Sequence, residues 1–219
     1  MSDHSDTVWD EYQWERFLQQ QEKRTEKYME LLEKYIDHPQ CDEIIAKEMN
    51  WPHLLEEGHR EWEEEVDAAF DEEVAGMERI GGEGEPEEPP YSFENHPLYR
   101  LAFEFSAELG TIFEALPPKA LDHPAAVALQ TGVTTAAQKL AAALSDGDEA
   151  EDLGMCIAYL KRALHAITGG LNATTKLEGA KILDPARAAH VRAMLFSIRD
   201  GIVTKTGECR AEFRRRHGR

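Results

Sequence analysis

Residues 98–116 read LYRLAFEFSAELGTIFEAL. Leu98, Ala102, Phe105, Leu109, Ile112 and Leu116 recur at alternating steps of four and three, which lays an apolar stripe along one side of a helix. Three later segments repeat the device. The first holds Ala126, Leu129, Val133, Ala136, Leu140 and Ala143; the second Leu153, Ile157, Leu160, Leu164, Ile167 and Leu171; the third Val191, Leu195, Ile198 and Ile202. Four such stripes can close around one core, so the spacing predicts an all-α fold with an antiparallel four-helix bundle over residues 98–216.

The helix ends are signed by proline and small polar residues. Leu116-Pro117-Pro118 closes the first helix, Asp122-His123-Pro124 opens the second, and Asp146-Gly147-Asp148 ends it. Asp184-Pro185 opens the fourth, with Asp184 as the natural N-cap and proline in the first turn. Gly169-Gly170 lies inside the third stripe. Each glycine there costs about 1 kcal/mol relative to alanine, so the pair marks a close backbone approach, a bend or a tolerated defect.

Working outward to the N-terminus, a long helix is expected from Val8, with Trp14, Leu18, Gln21, Thr25, Tyr28, Leu32 and Tyr35 on one side. Its middle is polar, from Gln19 to Lys27, so it should pack at its two ends and be solvated between them. Asp37-His38-Pro39 stops it, because the residue before proline is pushed out of the helical region. A short helix over residues 40–49 follows, then a turn with Asn50 as the cap of a third helix that runs to about Ile80. That third helix carries Leu55, Trp62, Val66, Ala69 or Phe70, and Met77 inward, and Glu63-Glu64-Glu65 and Asp71-Glu72-Glu73 outward. Residues 1–80 therefore read as an acidic helical module, and residues 81–97, which begin with Gly81-Gly82-Glu83-Gly84-Glu85-Pro86, as a flexible acidic linker. Trp9, Trp14, Trp51 and Trp62 either pack between the N-terminal helices or form an exposed patch for a partner.

The chain has 43 acidic and 24 basic residues in 219, a net charge of −19. Residues 1–95 hold 29 acidic and 8 basic side chains, against 14 and 16 in the remainder. Such a field repels phosphate backbones from the N-terminal module, which makes a basic protein surface or a cation the better partner. Arg210, Arg214, Arg215 and Arg216 form a basic C-terminal run, expected to pair with the acidic Glu61–Glu73 stretch within one chain or between chains. Cys41, Cys156 and Cys209 are odd in number and lack metal-ligand spacing, which predicts reduced, mostly buried thiols and a cytoplasmic setting. The N-terminus has no basic and apolar leader pattern, and no window reaches the roughly 18 apolar residues of a membrane span.

The order of features over residues 96–216 resembles the bacterial four-helix-bundle proteins encoded within intervening sequences of 23S ribosomal RNA. The likeness is carried by a first helix ending at Ile112-Phe113-Glu114-Ala115-Leu116-Pro117, a small-residue second helix from Gly132 to Ala143, and a third helix of apolar and small residues. At the end of the second helix this chain has Ala142-Ala143-Leu144-Ser145-Asp146-Gly147, where that family carries an Asn-Ile-Ala-Glu-Gly type run. The resemblance implies the bundle fold and a small helical homo-oligomer.

One constellation could carry metal chemistry. On a helix, His53, Glu56, His59 and Glu63 fall within an arc of roughly 120°, so imidazoles and carboxylates could share a divalent cation in the style of ferritin-like bundles. The competing reading is a solvated acidic face. Ser106, Ser145, Ser197 and the cysteines stand in no nucleophile pattern, and no cofactor-binding motif is read. The sequence thus points to a non-enzymatic helical interaction or assembly protein with a protein partner, with no catalytic residue and no cofactor assigned. The alternative is a metal-handling helical protein centred on His53, Glu56, His59 and Glu63.

Overall fold

The computed structural model describes residues 8–51, 93–145 and 152–218. The third N-terminal helix, the His53, Glu56, His59 and Glu63 constellation, the Glu61–Glu73 stretch, the glycine-proline run at 81–90 and the stop at Asp146–Asp148 lie outside these residues. Among those described there are seven α-helices and no strand: α1 Glu11–Tyr35, α2 Cys41–Glu48, α3 Pro97–Glu114, α4 Pro118–Leu121, α5 Pro124–Leu144, α6 Leu153–Gly179 and α7 Pro185–His217. They fall into two compact units, one of residues 8–15, 93–145 and 152–218, the other of residues 16–51. The division passes through α1, so residues 8–15 belong with the helices of residues 93–218.

In the larger unit α5 packs on α6, α6 on α7, and α3 on both α5 and α7. Residue pairs fix the directions. Cys156 meets Cys209 and Glu178 meets Arg192, so α6 and α7 are antiparallel. Leu98 lies against Gly201 while Glu108 bonds His190, so α3 and α7 are too. The core follows a seven-residue repeat more strictly than the large side chains suggest. Along α6 the buried positions include Leu153, Leu160, Ile167 and Thr174, interleaved with Cys156, Ala163, Gly170 and Leu177, and flanked by Gly154, Ile157, Ala158 and Ala173. In α7 they include Ala188, Leu195, Ile202 and Cys209, with Val191 and Ile198 between. A 3.5-residue period keeps a seam facing its neighbour along a long helix.

That register corrects three expected core positions. Leu164 and Leu171 are only half-buried, and Ala163 and Gly170 take the interior in their place. Ile112 is half-buried and Phe113 is buried instead. The close approach signalled by the glycine pair has its tightest point on the facing helix. A Cβ on Gly132 would lie 2.9 Å from the Ala166 carbonyl oxygen, whereas one on Gly169 would meet nothing within 4 Å.

The helix starts share one device. His96 and His123 precede Pro97 and Pro124, and each Nδ1 accepts from the backbone N–H two residues on, at 3.2 Å. Asp184 caps α7 as expected, accepting from Arg187 N–H at 2.9 Å. Pro117-Pro118 does not simply end a helix, since Pro118 begins the short α4. Phe93 packs edge-on against Tyr99, ring centres 4.9 Å apart, and anchors the approach to α3.

In the smaller unit α1 contributes no buried residue, and residues 19–27 are exposed, matching the solvated middle read from the sequence. Ile45, Ala46 and Met49 are buried on α2. Tyr28 packs on Trp51 at 5.8 Å, and Arg24 lies over the same indole at 5.2 Å. Asn50 adopts a left-handed backbone (φ 56°) and terminates α2: its N–H donates to Lys47 O, and Trp51 N–H donates to Ala46 O. The sequence marked this residue for a helix start, yet asparagine also tolerates the left-handed conformation that ends one.

Candidate functional site

The most elaborated contact in the larger unit is the docking of residues 8–15 onto α6 and α7. The segment is organised before it docks. Asp10 is the N-cap of α1: its Oδ1 accepts from Tyr12 N–H and Gln13 N–H, both at 2.9 Å, while Gln13 Oε1 accepts from Asp10 N–H at 3.0 Å. This reciprocal pair satisfies donors that a helix start otherwise leaves open. The helix begins at Glu11 and not at Val8, because Asp10 supplies the cap.

Three kinds of contact hold this first turn. Glu15 receives two hydrogen bonds from Arg162 of α6, at 2.9 and 3.1 Å. Both side chains are largely shielded, so the two-pronged geometry counts for more than a surface ion pair. Glu11 spans two helices, accepting from Arg210 of α7 at 2.8 Å and standing 3.4 Å from Lys161 of α6. The hydrogen bond to Glu11 raises the Arg210 guanidinium above its ordinary range, so it stays charged at every accessible pH. Lys161 also sits over the Tyr12 ring, 4.7 Å from its centre.

The indoles supply the apolar part. Trp9 and Trp14 meet edge to face at 5.1 Å, and Trp14 Nε1–H donates to Asp152 Oδ1 at 3.2 Å. Beneath them Gly154 must be glycine: a Cβ there would collide with the Trp9 carbonyl oxygen and come within 2.9 Å of Trp14 Cδ1. Asp152, Gly154, Lys161 and Arg162 of α6 and its N-cap, with Arg210 of α7, therefore form a cradle for an acidic, aromatic helix start.

Of the residues singled out in the sequence, the structure brings Trp9, Trp14 and Arg210 into this site. The sequence leaves Trp14 between packing among the N-terminal helices and an exposed patch for a partner; among the described residues it packs on the start of α6. Arg215 and Arg216 donate to Glu212 of their own helix. Among the described residues no group of three or more His, Cys, Asp or Glu side chains is placed to hold a metal ion. Sequence reasoning missed Arg162, Gly154 and Glu15. The one available signal was Asp10-x-x-Gln13, which marks a capped helix start but not what receives it.

A second surface is the outer side of α5. From Pro124 to Gln138 this helix has no charged residue. Val127, Gln130, Thr131 and Gln138 are exposed there, and with His165 and Gly169 of α6 part of this face lines an open groove of about 450 Å³. No described helix is long and apolar enough to cross a membrane. Comparison of the chain with protein-family models, curated proteins and solved structures finds no match.

Proposed function

We propose that this protein is a helical interaction module, an antiparallel four-helix bundle of α3, α5, α6 and α7 that binds a protein segment across α6 and α7. The carrying observation is the cradle occupied by residues 8–15, where Arg162, Lys161 and Arg210 meet Glu15 and Glu11, and Gly154 makes room for Trp9 and Trp14. The ligand is an acidic, aromatic start of a helix, and the chain's own segment is its resident copy. The bundle reading is supported by the seven-residue core repeat and by antiparallel neighbours. A homo-oligomer in the cytoplasm belongs to the same reading, in line with the resemblance to the intervening-sequence proteins. For a chain of charge −19, the uncharged side of α5 is a face where two copies meet without like-charge repulsion.

The test uses the full chain with its own segment disabled by Trp14→Ala and Glu15→Ala, and a fluorescent peptide of residues 1–20. The double variant should raise the peptide's anisotropy at concentrations where the wild-type chain, its cradle filled, does not. Adding Arg162→Glu should abolish the signal. A double variant that fails to take up the peptide removes the reading.

A further inference from the structure

Two thiols stand between the residues that form the cradle. Cys156 lies two residues beyond Gly154 on α6, and Cys209 immediately precedes Arg210 on α7. Each is 6% exposed, and their Sγ atoms are 3.5 Å apart. Cys41 is half-buried and belongs to the other unit.

We propose that Cys156 and Cys209 are a modification site, oxidised by hydrogen peroxide to an intramolecular disulfide that joins α6 to α7 beside the cradle. The sulfurs are already in contact, and a bond of about 2.05 Å requires them to close by only about 1.5 Å, which side-chain rotation and a small helix shift can share. One thiolate attacks the peroxide O–O bond, takes one oxygen as a sulfenic acid and releases the other as water. The second sulfur then displaces the hydroxyl from the sulfenic acid, forming the S–S bond and a second water. The two thiols lose two electrons to the peroxide, and their protons leave in the water. Hydrogen peroxide is small and neutral, which suits sulfurs this well covered better than a bulky disulfide reagent.

The pair is coupled to the cradle through geometry. Glu11 bridges Lys161 on α6 and Arg210 on α7, so the docked segment draws together the same two helices that the disulfide would join. The coupling is reciprocal: docking favours closure of the bond, and the closed bond favours docking. This second part rests on the reading of residues 8–15 as the cradle's occupant, whereas the first rests on the sulfur positions alone.

The full chain carrying Cys41→Ser is treated with hydrogen peroxide, denatured, alkylated and weighed. The expected product has lost about 2 Da, takes up no alkylating agent, yields one crosslinked peptide joining Cys156 to Cys209, and returns to the dithiol with dithiothreitol. Cys41→Ser with Cys209→Ser should give none of this. Two thiols that still alkylate, a gain of oxygen at either cysteine, or a crosslink between chains overturns the site. In the same background Glu11→Gln should slow closure several-fold. An unchanged rate overturns the coupling to the segment and leaves the disulfide standing.

Discussion

The helices of residues 93–218 and those of residues 16–51 are held in different ways. In the former, Phe105, Leu109, Leu129, Leu140, Leu160, Leu195 and Ile198 are fully buried. In the latter, α1 buries none of its residues, and its neighbour holds it by Trp51 against Tyr28 and Arg24. Both are long helical sequences; only the first has a stripe without interruption. Glutamine and threonine at the core-type positions of α1 leave it dependent on contacts at its ends, and one end is the cradle.

The comparison breaks most readily at Leu160. Leu160→Ala should cost about 2–5 kcal/mol, read from the urea midpoint, because the side chain is fully enclosed. Leu32→Ala, at a half-buried position of α1, should cost about 1 kcal/mol or less. Equal losses would erase the distinction between the two regions. Next in size is the α5–α6 contact. Gly132→Ala forces a Cβ against the Ala166 carbonyl and should cost about 1–3 kcal/mol, while Gly169→Ala has open space and should gain up to about 1 kcal/mol. If the two substitutions move the melting temperature in the same direction, the helices do not approach as described.

The cradle comes third. Arg162→Ala strips both hydrogen bonds from Glu15 and should weaken docking of the first turn by about 1–2 kcal/mol. Faster amide exchange over residues 10–15, with red-shifted tryptophan emission, is the expected result; exchange as slow as in wild type counts against the cradle. The smallest effect is local and pH-dependent. Hydrogen bonds from Arg215 and Arg216 lower the Glu212 carboxyl from 4.5 to about 2. A depressed carboxylate stabilises fully above its unfolded value of 4.5, and that contribution disappears as pH falls through about 2. The last turn of α7 should therefore stay ordered at pH 4.5 and fray towards pH 2. Glu212→Gln should lose that dependence, which chemical shifts of residues 212–217 can follow.

Much of the helical order was legible because burial repeats along the chain. The Ala126–Ala143 and Val191–Ile202 stripes are buried as read. Where the reading slipped, side-chain size misled it. Leu164 and Leu171 look like core residues, but an ideal helix drifts about 20° per heptad against a strict repeat, and the seam keeps Ala163 and Gly170 instead. The close approach of α5 to α6 is set by another small residue, Gly132. The cradle was hidden for a different reason. Its hydrogen bonds and ion pairs join residues 138 to 199 positions apart, and nothing periodic connects Trp14 to Asp152, Glu15 to Arg162 or Glu11 to Arg210.

The same separations govern the order of assembly. Glu11 is made 199 positions before Arg210, so a chain emerging from synthesis holds the start of α1 without this partner until α7 has been made. Joining ends this far apart costs little more than joining nearer ones, since each doubling of loop length adds only about 0.6 kcal/mol. The helices α5, α6 and α7 are neighbours in sequence as well as in space, so local contacts predict that they pair first and that residues 8–15 dock last. Substitutions at Glu11, Glu15 or Arg162 should then hasten unfolding while refolding keeps its pace in stopped-flow traces. A slowed refolding limb would mean that residues 8–15 meet α6 and α7 before those helices have packed with α5.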